Sequence, residues 1–220
     1  MVRLDRRARA LALCLAALAG YVDAIGFIQV GGFFVSFMSG NSTRLAVGVM
    51  SDAKDWMIAA GLIAAFFIGV IAGSLTGRKI KRRHRAVLAV VTIALLVAAG
   101  MAETGFLMVS AWALAFAMGA ENATFERDGE VLVALTYMTG TFVKAGQRIA
   151  AALAGDADKY AWIPHMLLWL ALIAGAVIGA AMQVQFGTLS LWCAAGVAAA
   201  CFLAAGVLDT QRAVSTAPQA

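Results

Sequence analysis

FFVSFMSGNSTRLAVGVM, residues Phe33–Met50, is the stretch whose placement decides the fold. Within it, Met38-Ser39-Gly40-Asn41 is followed by Arg44. About one hundred residues later Met138-Thr139-Gly140-Thr141 is followed, at the same spacing, by Lys144. Ser36-Phe37 aligns with Thr136-Tyr137, and further upstream Gly20-Tyr21-Val22-Asp23-Ala24 aligns with Gly119-Ala120-Glu121-Asn122-Ala123. A period of about half the chain marks a duplicated half-protein, not a solenoid.

Composition sets the solvent. The chain is 63% hydrophobic and only 13% charged, against roughly 25% charged for soluble domains, and its mean hydropathy is +0.88. That reads as a polytopic membrane protein forming one integral membrane domain over 1–220. Repeat 1 covers about 8–104 and repeat 2 about 105–208. The net charge of +5 comes from short basic runs beside apolar spans, so it reads as orientation information and not as a nucleic-acid surface. Cys14, Cys193 and Cys201 lie in apolar runs with no metal-ligand spacing.

Six apolar runs are long enough, or nearly so, to cross a bilayer: 8–30, 56–77, 86–101, 105–120, 161–182 and 187–208. The first follows Arg3, Arg6, Arg7 and Arg9, a layout shared by signal peptides. Its match to an internal segment in the second half favours a retained helix. Gly69 and Gly73 in repeat 1 and Gly175 and Gly179 in repeat 2 are GxxxG pairs. They predict close helix contacts, either between the halves or between copies in a homo-oligomer.

Short basic loops stay cytoplasmic, so 1–10 and Arg78–Arg85 belong on one side, with an even number of crossings between them. The runs 8–30 and 56–77 already supply an even number. The stretch 33–50 therefore enters and leaves on one face as a re-entrant or broken element, and 131–154 does the same on the opposite, cytoplasmic face. Three spans per half invert the second half. The expectation is an all-α membrane protein with six transmembrane helices in two inverted three-helix repeats. Both termini are then cytoplasmic, in a bacterial inner membrane.

The chemistry expected of the two special segments follows. Ser39 and Thr139 are suited to N-cap a short helix, and Gly40 and Gly140 to take an awkward backbone angle. The residues before them are β-branched and aromatic, as in extended chain. Two helix N-termini would then point inward, with Asn41 and Thr141 in the first turn and Arg44 and Lys144 one turn on. Free N–H groups and added cations favour a bound anion or carboxylate. Asp23, Glu121 and Asn122 sit at the ends of spans. Ionisable groups there are costly, hence paired or functional. Two roles stand open: neutralising Arg44 and Lys144, or binding substrate or ion. His165, at a span start, reads as interfacial.

Gly20–Phe27 followed by Met38–Asn41, together with Glu121-Asn122-Ala123 and Thr136–Thr141, resembles the YoaK-like family of small bacterial membrane proteins. The resemblance covers nearly the whole chain. It implies a six-span inner-membrane protein and no activity, because that family is a domain of unknown function. Ser39 stands where the family usually has Thr, and Glu121 where it usually has Gln.

The functional expectation is a secondary transporter or permease for a small solute, with an anion favoured and the lipid bilayer as its other partner. A non-transporting membrane scaffold or assembly protein is the alternative. No nucleophile–base pair, zinc motif or phosphate-binding loop is found in the sequence, so neither an enzyme nor a cofactor is expected, and catalytic and metal residues are none.

Overall fold

The computed structural model describes residues 5–215 apart from 52, 81, 128, 129, 132, 134, 156 and 157. Among them are eight α-helices: α1 (Arg6–Gln29), α2 (Met38–Ser51), α3 (Ala53–Lys79), α4 (Arg83–Glu103), α5 (Leu107–Glu121), α6 (Met138–Leu153), α7 (Ile163–Phe186) and α8 (Ser190–Ser215). One antiparallel ladder, Glu126–Arg127 with Glu130–Val131, lies between α5 and α6.

Local chemistry sets several boundaries. Asp5 caps α1, its Oδ1 accepting from the Ala8 N–H at 2.6 Å. The chain leaves α1 through Gly31 and Gly32, at φ 67° and 90°, a left-handed pair that side chains disfavour. A 3₁₀ turn, Gly187–Leu189, separates α7 from α8.

Four segments are long and apolar enough to cross a membrane: Arg6–Gln29, Lys54–Lys79, Arg83–Glu103 and the 44-residue Ile163–Gly206, which takes in α7 and most of α8. The expected fourth run, 105–120, is a 15-residue helix. At 1.5 Å per residue it reaches only about 22 Å, short of the roughly 30 Å hydrocarbon core. The 3₁₀ turn Asn122–Phe125 continues directly from its end and adds about 8 Å.

The two halves are interlocked. α1 packs along α7, α3 along α5, and α4 contacts both α5 and α8. α2 lies on α3, and α6 on α7. The GxxxG glycines make these crossings close. A Cβ on Gly69 would fall on the Phe116 carbonyl, and one on Gly175 on the Ala17 carbonyl. Gly73 faces Ala120 as Gly179 faces Tyr21, and Gly20 faces Leu172 as Gly119 faces Phe66. Each contact in one half thus has its counterpart in the other. The glycines meet the opposite half of the same chain, which is one of the two arrangements the sequence allows.

The segments before α2 and α6 are also alike. Phe33 and Val35 are buried, as are Val133 and Leu135.

Candidate functional site

Asp23 and Asn122, aligned by the repeat, both tie the incoming segment to the end of a helix. Asp23 Oδ1 accepts from the backbone N–H groups of Val35 (2.9 Å) and Ser36 (2.7 Å). Asn122 donates through Nδ2 to the Met118 carbonyl and to Thr136 Oγ1, both at 2.9 Å, and the Thr136 hydroxyl can donate to Asn122 Oδ1 at 3.1 Å. Asn41 holds the first segment from the other side, donating to the Phe34 carbonyl (2.6 Å) and accepting from the Phe34 N–H (3.0 Å). Thr141 reaches only back along its own helix, to the Tyr137 carbonyl at 3.4 Å.

The helix starts differ from expectation. α2 begins at Met38 and α6 at Met138, so Ser39 and Thr139 lie in the first turn and are not N-caps. Tyr137 occupies the cap position of α6 without a side-chain cap bond. Gly40 and Gly140 do not have positive φ. They are small for another reason. A Cβ on Gly40 would come within 2.6 Å of the Phe37 ring, and one on Gly140 would meet the Tyr137 ring. In both copies an aromatic side chain three residues earlier folds over the glycine. The pairs Phe37–Gly40 and Tyr137–Gly140 carry this signal in the sequence.

The cations are not paired with Asp23 or Glu121 among the described residues. Arg44 is half-buried, its guanidinium 4.5 Å from the centre of the Phe33 ring. Lys144 is exposed. Because α2 packs on α3 and α6 on α7, the structure does not bring these two side chains together. Asp23 spends its carboxylate on backbone N–H groups, which the sequence could not reveal. Glu121 is fully buried, and neither of its oxygens has a hydrogen-bond partner among the described residues. The polar stretch 121–130, ENATFERDGE, is buried over its first part: Glu121 and Ala123–Glu126 all have little exposure.

Glu126 is the acidic residue that sequence reasoning missed. Its Oε2 accepts from the Ser74 hydroxyl (2.6 Å) and lies 3.1 Å from Arg83, while Arg78 approaches Oε1 at 3.7 Å. Arg83 also donates from Nε to the Ala123 carbonyl at 3.1 Å. Burial pushes the Glu126 carboxyl up, but the Ser74 hydrogen bond and the Arg83 and Arg78 charges outweigh it, leaving the group below its ordinary range. Part of the basic 78–85 run is thereby bound to the segment after α5. The spacing in sequence, more than forty residues, gave no hint of it. A second missed contact joins α1 to α8: the sulfurs of Cys14 and Cys201 are 3.3 Å apart.

Long apolar helices, two sequence-related halves locked by glycine crossings, and polar ties at matching helix ends define a polytopic helical membrane protein. The chain belongs to the family described as "Protein of unknown function (DUF1275)", whose model matches residues 11–204. It is similar to the UPF0700 transmembrane protein RA0705 of Rhizobium meliloti (strain 1021), with 35% identity over 184 residues, 83% of this chain and 79% of that one. The resemblance to an uncharacterised membrane family therefore holds. No solved structure matches the chain.

Proposed function

We propose that this protein is a secondary transporter of a small anionic solute, not an enzyme. It has six spans (α1, α3, α4, α5, α7 and α8) in two inverted three-helix repeats. α2 and α6 are re-entrant elements from opposite faces, and both termini are cytoplasmic in a bacterial inner membrane. The observation that carries the reading is the matched set of crossings. Gly20, Gly69 and Gly73 meet α7 and α5 just as Gly119, Gly175 and Gly179 meet α3 and α1. Transporters built from inverted repeats place interrupted segments at corresponding sites in the two halves. Here those segments are 30–38 and 130–138, held by Asp23 and Asn122.

The separation of Arg44 from Lys144 favours a second reading, a non-transporting scaffold in which each cation serves its own half. Two measurements separate them. Purified protein is melted in the presence of inorganic anions and small carboxylates, since a ligand that binds the native form raises its stability. Proteoliposomes are then tested for flux of any anion that stabilises. Stabilisation with flux is the transporter result; neither, across the anion panel, refutes it. Membrane-impermeant thiol labelling of single cysteines should reach position 53 from outside and not position 80. Labelling of position 80 from outside would overturn the inverted topology.

A further inference from the structure

The geometry points to a binding site for an anionic phospholipid between α1, α6 and the start of α7. A polar chamber of about 310 Å³ is lined by Arg9 of α1, Arg148 of α6, and Asp158, Tyr160 and Pro164. It adjoins an apolar groove of about 120 Å³ and shares Arg9 and Pro164 with it. The groove is walled by Ala12 and Leu13 of α1 and by Ile163, Leu167 and Leu168 of α7. On α1, residues 9, 12 and 13 lie on one helical face, and on α7 residues 163, 164, 167 and 168 do the same. A charged chamber thus opens directly onto an apolar slot running down two packed helices.

Charge selects the occupant. Among the described residues, two guanidiniums and one carboxylate line the chamber, and neither guanidinium has an ion pair. Asp158 is turned partly to its own loop, where its Oδ1 accepts from the Tyr160 N–H at 3.3 Å. Lys144 lies one turn before Arg148 on α6 and adds a third cation nearby. Guanidinium forks match the oxygens of a phosphate. Level selects the occupant too. The chamber lies at the first turns of α1 and α7, beside Trp162, whose Nε1 donates to the Lys159 carbonyl at 3.1 Å. Indole rings at helix starts favour the headgroup region. Basic pockets between membrane helices hold anionic headgroups. A phosphodiester between Arg9 and Arg148, with one acyl chain between α1 and α7, satisfies both compartments. A free phosphate ester would use the chamber alone. The site stands whether or not the protein transports an anion.

The test is native mass spectrometry of detergent-purified full chain titrated with phosphatidylglycerol, with phosphatidylcholine and with glycerol 3-phosphate. The wild type should retain phosphatidylglycerol over phosphatidylcholine. Arg9→Gln combined with Arg148→Gln should reduce phosphatidylglycerol retention about tenfold or more, the scale of about one lost charge-assisted contact. Leu167→Trp, at an exposed position on the slot wall, fills the slot and leaves the arginines, and should also weaken the lipid without lowering the melting temperature. Thermal melts of the exposed-arginine variant should match wild type, which separates lost binding from lost fold. Equal retention of the two lipids, or an unchanged double variant, overturns the site. So does phosphatidylglycerol retention that Leu167→Trp leaves unchanged while glycerol 3-phosphate binds as tightly, because the slot then contributes nothing and the ligand is a free phosphate.

Discussion

Replacing Asp23 should separate its hydrogen-bonding role from its charge. One carboxylate oxygen receives two backbone N–H groups, from Val35 at 2.9 Å and Ser36 at 2.7 Å. Val35 is fully buried and Ser36 nearly so, so no water replaces a lost acceptor. Each buried donor left unsatisfied costs about 1–3 kcal/mol, and Asp23→Ala should therefore cost about 2–6 kcal/mol. Asp23→Asn keeps an acceptor oxygen in the same place and should cost about 1 kcal/mol. The second half already uses an amide at this position, Asn122. Arg44 enters the comparison because it contacts the Phe33 ring and not Asp23. Arg44→Gln should cost about 0.5–2 kcal/mol, the range of a cation–π contact, and Asp23→Asn should not restore that loss, because the two side chains are not paired. The assay is thermal unfolding in detergent, read by loss of the monodisperse peak. If Asp23→Asn is as damaging as Asp23→Ala, the charge matters and the hydrogen-bond account fails. Recovery of stability in the Asp23→Asn, Arg44→Gln double variant would show a charge pair that this geometry rules out.

Gly175→Leu and Gly69→Leu should each destabilise the protein by about 3 kcal/mol or prevent folding, because the new side chain meets backbone of the opposite half. Gly196→Ala in α8, with nothing within 4 Å of its Cβ position, should be neutral or stabilising, and equal melting of all three would refute the crossings. Glu126 carries the pH dependence. Its carboxyl is below the ordinary range when folded, so its stabilisation is complete above the unfolded value of about 4.3 and is lost as pH falls through the lower, folded value. Melting followed down to acid pH should show that loss in the wild type and a flatter profile in Glu126→Gln; parallel profiles would refute it. Glu121→Gln should leave the protein as stable as the wild type or more stable at neutral pH, since it removes a buried ionisable group and no partner is lost. A large fall in melting temperature would reveal a partner for that carboxyl.

The sequence by itself determined the helices, the duplication and the small-residue contacts. Hydropathy and basic runs are local properties, and α1, α3, α4, α7 and α8 lie where the apolar runs stand. The repeat of Gly69 and Gly73 in Gly175 and Gly179 marked where backbones approach. Only the tertiary structure decided which helix each glycine pair meets, because helical periodicity names a face but not its partner. It also decided the fate of the charges. Asp23 looked like a partner for a cation, yet segment 31–37 folds back and presents two N–H groups that no side-chain pattern announces. Gly40 and Gly140 looked like backbone hinges, yet the rings of Phe37 and Tyr137 are what exclude a side chain there. Glu126 lies in the polar stretch 121–130 with no partner nearby in sequence, yet Ser74, Arg78 and Arg83 reach it from α3 and α4. A carboxylate is satisfied by whatever donors the fold brings within about 3 Å, and that proximity exists only once distant helices have packed.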